Sequence, residues 1–342
     1  MLLVTRDHEL RHEVQRVAAG VSVPVSVIGD PREALTPWQG ASIVLVGGDC
    51  TVSMSRLGPA HRAGVSVVNA GLAPPEVFRS AFELGARQVV ELPTSHDWLV
   101  EALADSGTPD DERGRVVGFL SAAGGSGASS LAAATACLGS ERSGAALVDL
   151  DPVGVGIERL LGYDGPSVTT WATLGDQTLA PQALRESLPL HDGVHLVGFG
   201  ESPPRSVEAP AASAVLAACR RAFDLTVVDV PRSLDRGAFE ALDRCDLLVV
   251  VCPLSVAAAL SGLRLINALT RTDHIVVVTR AGPRSVEPTA VADTLEIPLL
   301  VDVSDQRRLD EVLAWGGSPL KSRGGGLRRA ALAVLDQTRL IA

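Results

Sequence analysis

Val116-Val117-Gly118-Phe119-Leu120-Ser121-Ala122-Ala123-Gly124-Gly125-Ser126-Gly127-Ala128-Ser129-Ser130-Leu131 decides the fold of most of this chain. An apolar run bounded by a glycine-rich turn reads as a buried strand, and Ser129 and Ser130 then open a small-residue helix, Leu131 to Leu138. Strand, glycine turn and helix in that order form an anion-binding unit. Gly124, Gly125 and Gly127 are expected to supply positive φ angles that turn consecutive N–H groups toward one point, where the helix N-terminus adds partial positive charge.

The loop departs from the P-loop pattern G-x-x-x-x-G-K-[ST], because Ala128 stands where the lysine belongs. Its glycine spacing resembles the deviant Walker A loop, K-G-G-x-G-K-[ST], of the MinD/ParA family of positioning ATPases. Gly124, Gly125, Gly127 and Ser129 match that pattern, while Ala123 and Ala128 occupy the places of its two lysines. No lysine nearby can stand in, since Lys321 is the only one in the chain.

Further stretches extend the resemblance over roughly residues 115 to 320. Ala145-Ala146-Leu147-Val148-Asp149-Leu150-Asp151-Pro152 is a buried strand ending in D-x-D, which puts two carboxylates where open α/β sheets bind ligands. By the residues alone, the same acids also read as a turn and helix cap. In the family this is the switch I strand, which implies that Asp149 lies near the metal and the loop and that Asp151 orients the attacking water. Phe223-Asp224-Leu225-Thr226-Val227-Val228-Asp229-Val230-Pro231 ends in an acid as a Walker B strand does. Asp229 would then hold Mg²⁺ through water, next to the Ser129 hydroxyl. Cys245 to Pro253 resembles the next strand, and Ile275-Val276-Val277-Val278-Thr279-Arg280 resembles the adenine-side strand, with Thr279 replacing the usual asparagine. The resemblance therefore implies nucleotide contacts from Gly124, Gly125, Ser126, Gly127, Ala128, Ser129, Ser130, Asp149 and Arg280. Ile297-Pro298, Asp305, Leu309, Ala314 and Gly316-Gly317 resemble the closing strand and helix.

Residues 1 to 104 alternate five short strands with helices and predict a smaller parallel-sheet domain. Asp7 is the expected N-cap of a helix whose Leu10, Val14 and Val17 share one face. The region resembles a response-regulator receiver without its chemistry. Gly47 falls at the phosphoacceptor's place, Asp49 comes two residues late, Leu92 replaces the lysine before Pro93, and the acidic pair is reduced to Asp7 beside Arg6. This is read as a pseudo-receiver for protein partners. His8-Glu9-Leu10-Arg11-His12 fits H-E-x-x-H, but it lies in the first turns of a helix with no third ligand in view, so a solvated helix face is expected. The polar stretch 105 to 114 reads as a linker, and 115 to 342 as the MinD/ParA-type domain.

Length fits two domains, and the fold class expected is α/β, with two doubly wound parallel sheets. No apolar run reaches the roughly 20 residues of a membrane helix, and Met1 to Arg6 turns charged too soon for a signal peptide, so a cytoplasmic protein is expected. Five scattered cysteines read as reduced core thiols. A net charge of −10 disfavours nucleic acid, although residues 321 to 329 are locally basic. The final segment, with Leu327, Ala331, Val334 and Leu335 on one face, reads as a docked helix; a peripheral membrane contact is the alternative.

An atypical receiver joined to a deviant P-loop domain resembles the CpaE/TadZ proteins, and the lysine-free loop is similar to the septum site-determining Ssd proteins. That resemblance implies a homodimeric regulator of septum, pilus or secretion-machinery placement, recruited to septum or pole, with weak ATP and Mg²⁺ binding and negligible hydrolysis. An active ATP-hydrolysing positioning ATPase is the rival reading, and a DNA-binding partition protein a more distant one.

Overall fold

The computed structural model describes all residues except 22, 63, 108–113, 142–143, 164, 166–168, 175–180, 201–204, 270–273, 281–285, 304–324 and 341–342. The chain forms two compact units, Met1–Glu112 and Arg113–Ala342. Most of the expected linker, together with Asp305, Leu309, Ala314, Gly316, Gly317 and Lys321, lies outside the described residues.

In the first unit the strands β1 (Leu2–Val4), β2 (Ser26–Ile28), β3 (Val44–Gly47), β4 (Val65–Ala70) and β5 (Val89–Leu92) form a parallel sheet of order β2-β1-β3-β4-β5. Alternate residues feed two cores. Leu2, Val4, Val44, Val46 and Val67 face one side, while Leu3, Leu45, Val68 and Val90 face the other, as a sheet covered on both faces requires. Helix α1 (His8–Gly20) begins where expected, with Asp7 Oδ1 accepting from the N–H of Glu9 (2.8 Å) and of Leu10 (3.2 Å). His8 and His12 are exposed on it. Helix α2 (Gly48–Leu57) and a 3₁₀ turn at Glu33–Leu35 are additions to the elements expected from the sequence. α3 (Pro75–Glu83) follows β4, and α4 (His96–Gly107) runs further than expected, into the start of the predicted linker.

The second unit is built on β6 (Arg115–Ser121), β7 (Ala145–Asp149), β8 (Leu190–His191), β9 (Val194–Val197), β10 (Leu225–Val230), β11 (Leu247–Pro253), β12 (Ile275–Arg280) and β13 (Leu299–Val303). Their order is β13-β12-β11-β6-β10-β7-β9-β8, with every described pairing between these strands parallel except the β8–β9 hairpin. Asp192 and Gly193, both at positive φ, make that hairpin's two-residue turn. β6 lies inside the sheet, and its side chains alternate between two cores: Val116 and Leu120 on one face, Val117 and Phe119 on the other. Helix α5 (Ala128–Ser140) starts one residue before the expected Ser129. It is buried almost all round because it is covered by the sheet and by α6 (Gly326–Leu340), and its small residues let the layers approach; a Cβ on Gly139 would strike Leu225. On α6, Leu327, Ala330, Ala331, Val334 and Leu335 are spent on this core, which places the final segment as a docked helix. Among the described residues, no helix is long and apolar enough to cross a membrane.

Candidate nucleotide site

The site forms at the carboxyl ends of β6, β10 and β7, three neighbours in the sheet. β6 ends at Ser121, whose hydroxyl donates to Ala123 O and lies 2.7 Å from Ser126 Oγ, closing the glycine turn from within. Gly125 (φ 70°) and Gly127 (φ 87°) occupy the left-handed region, as the turn requires. Gly124 does not, contrary to the expectation, and a Cβ there would meet nothing within 4 Å, so the path of the loop rests on the other two. Gly127 is the residue before α5, which aims the helix's first N–H groups at the loop.

Asp149, the last residue of β7, and Asp229, the last but one of β10, are direct register partners on adjacent parallel strands, so the two carboxylates stand side by side. Asp149 is 2% exposed and Asp229 6%. Burial, then the neighbouring Asp229, pushes the Asp149 carboxyl up to about 8. Burial raises Asp229 to about 7, opposed by a hydrogen bond with Ser129 and reinforced by Asp151. The expected proximity of Asp229 and the Ser129 hydroxyl is thus present. Asp149 also shapes the next turn: Oδ1 accepts from Asp151 N (2.9 Å) and Oδ2 from Ile157 N (3.2 Å), while the indole of Trp171 donates to Asp149 O at 2.6 Å. Asp151 is half-buried and accepts from Val153 N at 3.1 Å.

These parts enclose a cavity of about 360 Å³, bounded by residues 124–130, Asp149, Asp151, the 154–157 turn, Asp229, Arg232 and Arg280. That volume suits a small ligand. All the residues predicted for the site line it. Ala128, 5% exposed, stands on its wall with a methyl where the family has a lysine. Among the described residues, no cluster of three or more His, Cys, Asp or Glu is arranged to hold a metal. Mg²⁺ fits this donor set in its usual manner, through one or two carboxylates plus phosphate oxygens, with Asp229 and Ser129 as the residues that would hold it.

Two features go beyond the reading of the sequence. Thr279, at the place of an adenine-reading amide, is fully buried and donates to Asp302 Oδ1 at 2.8 Å, so its hydroxyl is committed within the fold. Arg280 reaches the glycine loop itself, with Nη1 3.1 Å from Gly125 O and 2.9 Å from where a Cβ on Gly127 would stand. The loop, which lacks a cation of its own, has one laid against it. Ser121, Arg232 and the 154–157 turn join the site from outside the set expected from the sequence. Arg232 carries a readable signal, an arginine three residues past the acid of β10.

In the first unit the receiver's acceptor place is closed. Asp49 turns back over Gly47, where Oδ1 accepts from Thr5 Oγ1 (2.8 Å) and Oδ2 from Arg6 N (2.7 Å). A Cβ on Gly47 would collide with that carboxylate and with Thr5. Leu92 fills the lysine's place as a buried core residue. Acetyl phosphate is therefore expected to leave residues 1 to 104 unmodified; a phosphoaspartate found there by mass spectrometry would refute the pseudo-receiver assignment.

A phosphate-type loop on a doubly wound sheet, with paired strand-end acids, defines the second unit as having the fold of MinD/ParA-type P-loop ATPases. It is similar to a ParA family ATPase from Chlorobium tepidum (TM-score 0.58, 19% identity, 65% of this chain and 98% of that one). It is likewise similar to a chain of the MinC:MinD cell division protein complex of Aquifex aeolicus (0.56, 15%, 66% and 95%). A third such structure is the septum site-determining protein MinD of Pyrococcus horikoshii complexed with Mg-ADP (0.54, 17%, 67% and 98%). Residues 4–114 match the model of the Rv3660c-like, CheY-like N-terminal domain. Over 341 residues, 97% of this chain and 96% of its relative, the sequence is 32% identical to the uncharacterised protein Rv3660c of Mycobacterium tuberculosis, and this chain belongs to that family.

Proposed function

We propose that this protein is a spatial regulator of MinD/ParA type, a degenerate ATPase that acts as a scaffold in placing a division septum or a pilus or secretion machine. The observation that carries the reading is an asymmetry: the loop, Ser129, Asp149, Asp151 and Asp229 keep their places while Ala123 and Ala128 replace both phosphate-facing lysines. A charge-assisted hydrogen bond contributes about 1.5 to 3 kcal/mol, so two lost contacts weaken triphosphate binding by about a hundredfold or more. Loss of cationic stabilisation of the transferring phosphoryl group slows turnover by further orders of magnitude. Weak, Mg²⁺-dependent nucleotide binding is consistent with the Mg-ADP complex of the Pyrococcus horikoshii MinD. The closed acceptor place of the first unit fits a docking module for protein partners, and dimerisation and recruitment to septum or pole belong to the same proposal.

With saturating Mg²⁺-ATP, the full-length protein is expected to turn over at least about a hundredfold more slowly than lysine-containing members of the fold. A tagged copy in cells should mark the septum or pole without needing that turnover. Comparable turnover would favour the rival reading, an active positioning ATPase, for which the placement of Arg280 against the loop is the supporting observation.

A further inference from the structure

We propose that Arg280 supplies the phosphate-side cation that the loop has lost, so that the site recognises the pyrophosphate portion of a Mg²⁺-bound nucleotide rather than its base. This rests on the nucleotide reading above and assigns the ligand portion that governs affinity.

The root of Arg280 is fixed. It is the last residue of β12, its carbonyl accepts from Leu254 N at 3.0 Å, and the preceding Thr279 is tied to Asp302 at 2.8 Å. From there the side chain reaches past the end of β11 to the loop, where Nη1 donates to Gly125 O at 3.1 Å. The guanidinium also crowds Gly127, 2.9 Å from its Cβ position, so glycine is required there for this approach as well as for its φ of 87°. An arginine held this way is pre-organised, and its planar fork suits bidentate recognition of phosphate.

Charge distribution makes the same assignment. The cavity floor carries Asp149 and Asp229, with Asp151 beside them, which disfavours a bare phosphate. Among the described residues, the cations lining it are Arg232 and Arg280. Arg232 bonds Ser261 Oγ at 3.0 Å, whereas Arg280 bonds the glycine loop. Arg280 and a magnesium ion together offset the acids at the point where the loop's N–H groups converge. On the base side, the buried Thr279 hydroxyl is engaged with Asp302, so discrimination between bases is expected to be poor.

The test is calorimetry on the full-length protein in excess Mg²⁺, with inorganic pyrophosphate, ADP, GDP and adenosine as probes. Arg280→Gln, which keeps a donor for Gly125 O but no charge, is the main variant; Arg280→Lys retains charge without the fork, and thermal melts verify folding. Wild-type protein should bind pyrophosphate, ADP and GDP within about threefold of one another, and adenosine far more weakly. Arg280→Gln should lose at least about tenfold for each phosphate ligand, with Arg280→Lys intermediate. Adding Ala128→Lys to Arg280→Gln should recover most of that loss. If Arg280→Gln binds pyrophosphate as the wild type does, the role of Arg280 is refuted and the nucleotide reading stands. That role is refuted equally if Ala128→Lys protein binds and the wild type does not. If neither protein binds any phosphate ligand, the nucleotide reading itself falls. Should Arg280→Gln melt early, Arg280→Lys decides: charge alone must preserve part of the pyrophosphate affinity.

Discussion

Ala128→Lys is expected to tighten Mg²⁺-ADP binding by at least about tenfold, the effect of roughly 1.4 kcal/mol. Ala128 is the first residue of α5 and lies on the cavity wall at the foot of the loop, so a lysine stem grown from it enters a space of about 360 Å³. The new ammonium meets Asp149 and Asp229, which are buried and short of positive charge. It therefore gains partners before nucleotide arrives and a phosphate contact afterwards, each a charge-assisted hydrogen bond. Because position 128 is only 5% exposed, the substitution is tolerated only if the stem points into the cavity rather than toward Phe119 and Leu131. Titration calorimetry with a parallel thermal melt reads both effects. A folded variant with unchanged affinity would show that position 128 does not face phosphate, and the asymmetry between kept shape and lost charge would lose its meaning.

Between pH 6 and pH 8, the metal-free protein is expected to lose roughly 3 to 4 kcal/mol of folding stability through its paired acids. Their folded-state pKa values are raised, to about 8 for Asp149 and about 7 for Asp229, by burial first and by neighbouring carboxylates next. Across this interval the folded protein's excess over the unfolded chain, with its ordinary carboxylates, falls from about two protons to about half a proton. More protons bound in the folded state make stability fall as pH rises. The contribution is thus fully present below the ordinary carboxylate range and is lost as pH rises through the folded values. Asp229→Asn keeps an acceptor for Ser129 and removes one of the two charges, so its profile should be flatter and the variant relatively more stable at pH 8. Other titrating groups are common to both proteins and cancel in the difference. Urea midpoints at several pH values decide it; parallel profiles would mean the acids do not share their environment as the register of β7 and β10 places them. Millimolar Mg²⁺ should raise the wild-type midpoint at pH 8 and have less effect on Asp229→Asn.

Local patterns make much of the fold legible. A continuous apolar run bounded by turns fits a strand buried on both faces, so β6, β7, β10, β11 and β12 can each be read from their own residues. Asp7 announces α1 because a cap is a local hydrogen bond. The β8–β9 hairpin is equally local, yet its Asp192-Gly193 turn joins strands too short to stand out as apolar runs. α2 is harder to see, since Gly48 at its start and Gly47 before it are poor helix formers.

The sequence by itself determined the loop, the helix behind it and the strand-end acids, because each depends on neighbours a few residues away. Only the tertiary structure decided what those pieces do to one another. Asp149 and Asp229 become a coupled pair through the register of β7 against β10, and Arg280 becomes the loop's cation across 155 residues of chain. Thr279 is withdrawn from the ligand by Asp302, and Asp49 folds into the space that Gly47 leaves. The physical reason is the same in each case: strand order and register bring together groups distant in sequence, and their mutual distance and burial, not their identity, set whether a charge is paired, repelled or held in reserve.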